Sequence, residues 1–443
     1  MRWLQERRST RLTATGTARE QEQQATSDLS GGEVIEDDSL QLQAGLNFPL
    51  TTGGSIDLSW FHSNDQTNNQ FSLFDTSTTD QLSLTLTQPL LRGAWERYAT
   101  TTQREREIDL ARQEAIEAQV RQQLVLDVYW AYWDLVSSIE LVGVRLLALE
   151  RAEKQLEQDQ RRLDLGAGTE VDILQSETTV AQQNEQLLNA QFNLRQAEDT
   201  LRRAIFQKPS GEVEEFLASW DWPIDPLTPL PDVDDAIATD WRSSLALAVE
   251  ARPELWQRRH EIDAAEVRLE GTESDRLPQL DLNLSSTSNG FDSDPDESFS
   301  EASGWDFPTN SASLDFSLPL RNRTASYARR AARASVRQAR IALDRQELDI
   351  LAEVRAAVRD LNYRSRALLA AQKSSALASK QLDAELVRMD IGLSTTFQVL
   401  EFQETLATAK SDEVTARAAY AKALVKLKHA EGRLDPRLEE ETP

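Results

Sequence analysis

The side chains able to do chemistry in this 443-residue chain are mostly carboxylates. Asp and Glu number 74 against 48 Lys and Arg, a formal net charge of −26, and they are spread along the sequence rather than gathered. Such a chain suits a surface or conduit that meets cations, and it argues against nucleic acid, whose phosphates need a basic surface. Cysteine is absent, which removes disulfides, thiolate metal sites, cysteine nucleophiles and a lipidated cysteine. The three histidines, His62, His260 and His429, stand in unrelated segments without metal-ligand spacing. There is no phosphate-cradling glycine loop and no nucleophile motif. The reading is therefore not an enzyme, with no cofactor.

The elements that would position these carboxylates have two textures. Residues 324 to 390 contain neither Gly nor Pro, roughly 100 Å if helical throughout. The stretch from Ala94 to Leu165 is comparable, with a break expected at Gly143. Apolar residues at Val128, Tyr132, Leu135, Ile139, Val142, Leu146 and Leu149 advance by four and three. So do Leu187, Ala190, Leu194, Ala197, Leu201 and Ala204. That spacing predicts left-handed packing of nearly parallel helices. Strand alternation appears instead at Ser55 to Phe61, 81 to 88, Gln279 to Ser285 and 311 to 318, two strands per half. "STRLTATGTARE" and "LQLQAGLNF" alternate less cleanly and are possible further strands. The segment 207 to 243, rich in Pro and Trp, reads as an irregular connector, and a helix is expected from Ser244 to Arg276.

The text repeats. "RLDLGAGTEVDIL" (Arg162 to Leu174) aligns without a gap on "RMDIGLSTTFQVL" (Arg388 to Leu400), an offset of 226 that also matches Val128, Ala131, Asp134 and Leu135 to Val354, Ala357, Asp360 and Leu361. "SLTLTQPLLRGAWERY" likewise returns as "SLDFSLPLRNRTASYA", with Pro89 answering to Pro319. The chain reads as a tandem of two units, each made of strands, a long helix, a glycine turn (Gly166 or Gly392) and a returning helix. The expected divisions are a β-strand region 1–92, a first hairpin 93–206, a connector 207–243, a helix with a second strand pair 244–320, a second hairpin 321–432 and an acidic tail 433–443.

No run of eighteen apolar residues exists, so no transmembrane helix is expected. The strands have one apolar and one small polar face, and the slender helices offer little to cover the apolar one. That is the pattern of a barrel wall between lipid and water. The polar segments "NDQTNNQ" and "DSDPDES" read as outer loops. Four strands cannot close a barrel, and an open edge in lipid leaves backbone groups unpaired, so such a chain must oligomerise. Pro89, Gly93 and Pro319 would mark the corners where strands hand over to helices. The rival reading is a non-membrane coiled-coil scaffold or a periplasmic adaptor-like protein.

"LTQPLLRG" (Leu86 to Gly93), the paired glycine turns and the doubled strand–helix order resemble the outer-membrane efflux proteins, the TolC-like channel family, over about residues 40 to 432. The resemblance implies a mainly α fold with β: a homotrimer with a twelve-stranded transmembrane β-barrel above an α-barrel tunnel of helical hairpins. It implies a passive conduit of a tripartite efflux or type I secretion system in the outer membrane of a Gram-negative bacterium. The partners implied are outer-membrane lipid, a periplasmic adaptor and an inner-membrane transporter. It places Asp172 and Glu401 at the periplasmic aperture, with Gln398 where the family has another acid. It places adaptor docking at the hairpin tips, Gly166, Gly168 and Thr169 with Gly392 and Thr395. The family begins with a signal peptide and a helix before the first strand. Here "MRWLQERRST" lacks an apolar segment after it, and the expectation is a chain truncated at its N-terminus or begun at a misplaced start.

Overall fold

The computed structural model describes residues 10–24, 34–68, 72–166, 168–205, 220, 222, 224–233 and 239–434. The acidic tail beyond 434 and most of the 207–243 connector lie outside the described residues. Two compact units form, residues 1–111 with 260–341 and residues 112–259 with 342–443.

The first unit holds one antiparallel sheet. Its strands are β1 (Arg11–Gln24), β2 (Val34–Pro49), β3 (Ser55–Thr67), β4 (Thr76–Pro89), β5 (Gln279–Asp292) and β6 (Pro308–Ser317), adjacent in that order. The expectation of two strands per half is corrected: four precede the first helices and two precede the later ones. The two weaker alternations are the additional strands β1 and β2, and their register is continuous with β3. The segment "NDQTNNQ" is also corrected, because its first four residues extend β3. "DSDPDES" opens a helix, α6 (Pro295–Gly304). Asp294 accepts from the Asp296 amide and Pro295 occupies the first turn, so an N-terminal helix cap stands where an outer loop is expected.

Register puts every even-numbered strand residue on one face. Leu12, Leu46, Leu58 and Leu84 stand in one row across β1 to β4, and Phe48, Ile56, Leu86 and Leu284 in the next. Leu12, Leu40, Leu42, Phe48, Leu58, Leu84, Leu284, Leu314 and Phe316 are all exposed. The odd-numbered face is polar and bonded across strands: Gln81 to Asn289 (2.9 Å), Ser83 with Thr287 (3.0 Å), Asn283 to Asp315 (2.6 Å) and Ser285 with Ser311 (2.8 Å). Near the end of the sheet away from the long helices, α6 covers the even face. Ser298 is buried there; its Oγ accepts from the amide of the buried Asp80 (3.1 Å), and a Cβ at Gly290 would strike the Ser298 carbonyl.

Strands hand over to helices at compact corners. Pro89 is the last residue of β4 and Gly93 turns at φ 74°, its amide donating to the buried Ser274 (2.8 Å). Short α1 (Trp95–Ala99) and the long α2 (Thr101–Asp164) follow. Pro319 lies between β6 and α7 (Arg323–Asp390), whose start is held by Asn322 accepting from the Ala325 amide (3.2 Å).

The second unit contains the far parts of α2 and α7 with the returning helices α3 (Glu170–Ile205) and α8 (Thr396–Ala430). The break expected at Gly143 does not occur; α2 runs through it. Gly143 is exposed, and one glycine in a helix costs about 1 kcal/mol against alanine, less than the packing that continuation keeps at Ala148 and Ala152. The seam expected along Ile139 and Leu146 is also redirected. Both are exposed, while Leu135, Val136, Ala148, Ala152, Gln155 and Asp159 are buried. Small residues let the axes approach where leucines would hold them apart. The helix expected at Ser244 to Arg276 is two, α4 (Trp241–Ala251) and α5 (Pro253–Ser274), because Pro253 forces Arg252 out of helical geometry (ψ 120°). Leu255, Ile350, Val354, Leu361, Leu368, Tyr420 and Leu427 form the largest apolar cluster of the unit.

His429 sits in the last turn of α8. Burial lowers its pKa from 6.5, Arg252 lowers it further, and Glu353, Glu254 and Asp127 oppose the shift. A lowered folded-state pKa means the unfolded chain takes the proton first. Stability from this group is therefore complete above pH about 6.5 and is lost as pH falls through the lowered folded value. Urea melts should weaken below pH 6.5, and His429→Gln should flatten that part of the profile.

Candidate functional site

The two hairpin tips are built alike. In each, a glycine in the left-handed region ends the long helix: Gly166 at φ 73° and Gly392 at φ 76°. Around Gly392 the Leu393 amide reaches the Arg388 carbonyl (2.8 Å) and the Gly392 amide the Met389 carbonyl (3.0 Å), a Schellman closure. Gly168 packs tightly, since a Cβ there would lie 3.0 Å from the Leu163 amide nitrogen. Thr169 then stands before α3 and Thr395 caps α8.

Asp172 and Gln398 belong to these caps. The Asp172 carboxylate accepts from the Thr169 amide (3.0 Å) and hydroxyl (2.7 Å), while the Asp172 amide donates back to Thr169 Oγ1 (3.3 Å). That is a reciprocal capping box. The Gln398 amide donates to Thr395 Oγ1 (3.4 Å), and its side-chain oxygen accepts from Ser394 (3.1 Å). One motif, Thr-x-x-Asp or Thr-x-x-Gln, thus occupies both matched positions, which makes Asp172 a cap as well as a charge. Glu401 is exposed and lines a groove of about 590 Å³ between α3 and α8, with Leu174, Gln175, Phe397, Leu400 and Glu404. Of the three aperture candidates, Asp172 and Gln398 thus sit in the two caps, and Glu401 lines the groove.

What joins the tips was not foreseen. Asp159, 2% exposed, accepts from Gln155 on its own helix (3.1 and 3.2 Å), from Ser176 of α3 (2.7 Å) and from Thr396 of α8 (3.1 Å). One buried carboxylate ties three helices at the tips. Glu385, 226 residues on and seven before Gly392 as Asp159 is seven before Gly166, is buried too and accepts from Ser394. The signal was available: an acid seven residues before each glycine turn. A second cross-link is Gln183 to Glu404 (2.5 Å). Asp159→Ala would leave Ser176 and Thr396 unpaired, a loss of about 2 kcal/mol and a freeing of the first tip from the second. Hydrogen exchange at residues 390–400 should accelerate in that variant while the sheet amides stay protected.

A family model described as outer membrane efflux protein matches residues 10–205 and 245–433. The chain belongs to the outer membrane efflux protein family. Among curated members, the family protein resembles the proteases secretion protein PrtF of Dickeya chrysanthemi, 26% identical over 367 residues, 80% of this chain and 72% of that one. It also resembles the alkaline protease secretion protein AprF of Pseudomonas aeruginosa, 24% identical over 317 residues, 67% of this chain. That match spans 60% of AprF's own length. Among solved structures it shares the fold of the outer membrane protein VceC of Vibrio cholerae, with a TM-score of 0.66, 16% identity, and coverage of 96% of this chain and 87% of that one. The resemblance read from "LTQPLLRG" and the paired glycine turns is thereby established at the level of family, and the mixed helix-and-sheet fold is the family's.

Proposed function

We propose that this chain is the outer-membrane channel subunit of a tripartite efflux or type I secretion system, a passive conduit across outer membrane and periplasm. The observation that carries the proposal is the sheet, with an apolar face that is exposed and a polar face that is hydrogen-bonded across its strands. In water the even-numbered face would be costly; in a barrel wall it meets lipid. On β2 the apolar side runs from Leu40 to Phe48, about 20 Å along the membrane normal at a 40° tilt, near the ~25 Å band of outer-membrane barrels. Among the described residues no helix is long and apolar enough to cross a membrane, so the sheet is the membrane element in this reading.

The protein works as a homotrimer. Leu188 and Phe192 on α3, and Ile341, Leu348 and Leu377 on α7, are exposed apolar residues on helix faces, suited to neighbouring copies. The doubled parts repeat one order of strands, long helix, glycine turn and returning helix. The tips, with exposed Leu165, Val171, Leu393 and Phe397, receive a periplasmic adaptor coupled to an inner-membrane transporter. Three copies of Glu401, with Asp172 in support, line the periplasmic aperture and favour cations. The names of PrtF and AprF favour protein secretion over drug efflux. The test is extraction from outer membranes followed by mass in detergent and planar-bilayer recording. A trimer with cation-selective conductance, less selective in Glu401→Gln, is expected. A monomer soluble without detergent would refute the proposal.

A further inference from the structure

We infer that each copy contributes six strands to the wall, so that the trimer closes an eighteen-stranded barrel rather than the twelve-stranded one the family resemblance implies. The inference rests on the homotrimeric channel reading above. Six strands lie in one sheet in sequential order, every neighbouring pair antiparallel. The extra pair is β1 and β2. The later strand pair, β5 and β6, is preceded by helices α4 and α5 instead, so this hairpin has no counterpart in the second half.

The hairpin is built as wall. β1 pairs with β2 over its whole length, and β2 with β3 from Asp37 to Pro49. Neither pairing slips phase. Leu12, Ala14, Gly16 and Ala18 face the same side as Leu46, Ala44, Leu42 and Leu40, and Thr13, Thr15 and Thr17 face the polar side. A one-residue slip would have exchanged those faces. Were the hairpin outside the wall, Leu12 (70% exposed), Leu40 and Phe48 would stand in water for no gain.

The free edges say what closes the sheet. β6 is exposed along all ten residues, and β1 along all but one of its fourteen. Unpaired backbone groups in hydrocarbon cost several kcal/mol each, so both edges must be paired in the membrane. Six is even, so β6 runs opposite to β1. The β6 edge of one copy can therefore join the β1 edge of the next with antiparallel pairing at all three seams. With strands 4.8 Å apart and tilted about 40°, eighteen strands enclose about 36 Å across the backbone, against about 24 Å for twelve. Eighteen strands fall in the range that leaves an aqueous channel.

The chain has no cysteine, so introduced pairs report without background. One set combines Thr13→Cys, Thr15→Cys or Thr17→Cys on β1 with Ser311→Cys or Ser313→Cys on β6, all on the polar face. The rival set combines Ser59→Cys or Phe61→Cys on β3 with the same β6 positions, the seam that a twelve-stranded ring would have. Single-cysteine variants that still extract as trimers serve as folding controls. Oxidation in membranes should give a covalent ladder up to trimer from the β1–β6 set only. A ladder from the β3–β6 set, with a trimeric mass in detergent, would overturn the strand count while leaving the channel reading intact. A monomeric mass with no ladder would overturn both. Independently, a fluorophore on Ala14→Cys should be quenched by nitroxide-bearing lipid in reconstituted trimers. Full fluorescence there would place β1 outside the wall and overturn the inference.

Discussion

Leu84→Arg should abolish accumulation of folded trimer in the outer membrane, whereas Ser83→Arg should leave it nearly unchanged. Leu84 is 45% exposed and central among the apolar positions of β4, between Leu58 of β3 and Ser286 of β5. Its neighbour Ser83 points to the other side, where its hydroxyl meets Thr287 at 3.0 Å. A lipid-facing arginine near the bilayer midplane costs about 2–4 kcal/mol, and a homotrimer bears that cost three times. The same guanidinium on the polar face meets water. Heat-modifiable trimer in the outer-membrane fraction is the readout. Equal behaviour of the two variants would refute the assignment of faces, since nothing but the side of the pleat separates them.

Arg252→Ala should be the most damaging single change in the helical unit. Arg252 is 4% exposed and stands in the break between α4 and α5. Its guanidinium grips Glu254 with two bonds of 3.0 Å and Glu353 with bonds of 3.2 and 2.9 Å. It also reaches the carbonyls of His429 and Ala430 at the end of α8. Removing one partner from a buried pair costs about 3–5 kcal/mol, because the remaining charge is left without compensation. Glu353 is partly open to water, so the low end is expected, with a fall in Tm on the order of 10 °C. Arg252→Lys should recover little, since a single ammonium cannot span two carboxylates bidentately. Thermal melts of the detergent-extracted protein decide it; a melting point unmoved by Arg252→Ala would show the cluster to be dispensable.

Strands β3 to β6 and all four long helices were legible because their signals are local. Period-two alternation at Leu82, Leu84 and Leu86 needs no partner to be read, and neither does an unbroken helical run between glycines. β1 and β2 were harder. Arg19, Glu20, Asp37 and Asp38 interrupt their alternation at the end away from the helices, and only pairing with β3 shows which face is shared. At Gly143 intrinsic propensity points to a break, and packing along the helix overrides it. At the tips, the family resemblance assigns Asp172 and Gln398 to aperture positions, although the threonines three residues before them already spell a cap.

The sequence by itself determined the order of elements, the two glycine turns and the apolar and polar sides of four strands. Each of these depends on residues near one another in the chain, where backbone sterics and side-chain period act directly. Only the tertiary structure decided that β1 and β2 join the same sheet and that Asp159 gathers Ser176 and Thr396. It likewise decided that Arg252 locks α7 and the end of α8. The two Asp159 contacts join residues 17 and 237 positions apart. Their energy comes from burial and hydrogen bonding between partners that only folding brings together, and no local period in the sequence encodes that meeting.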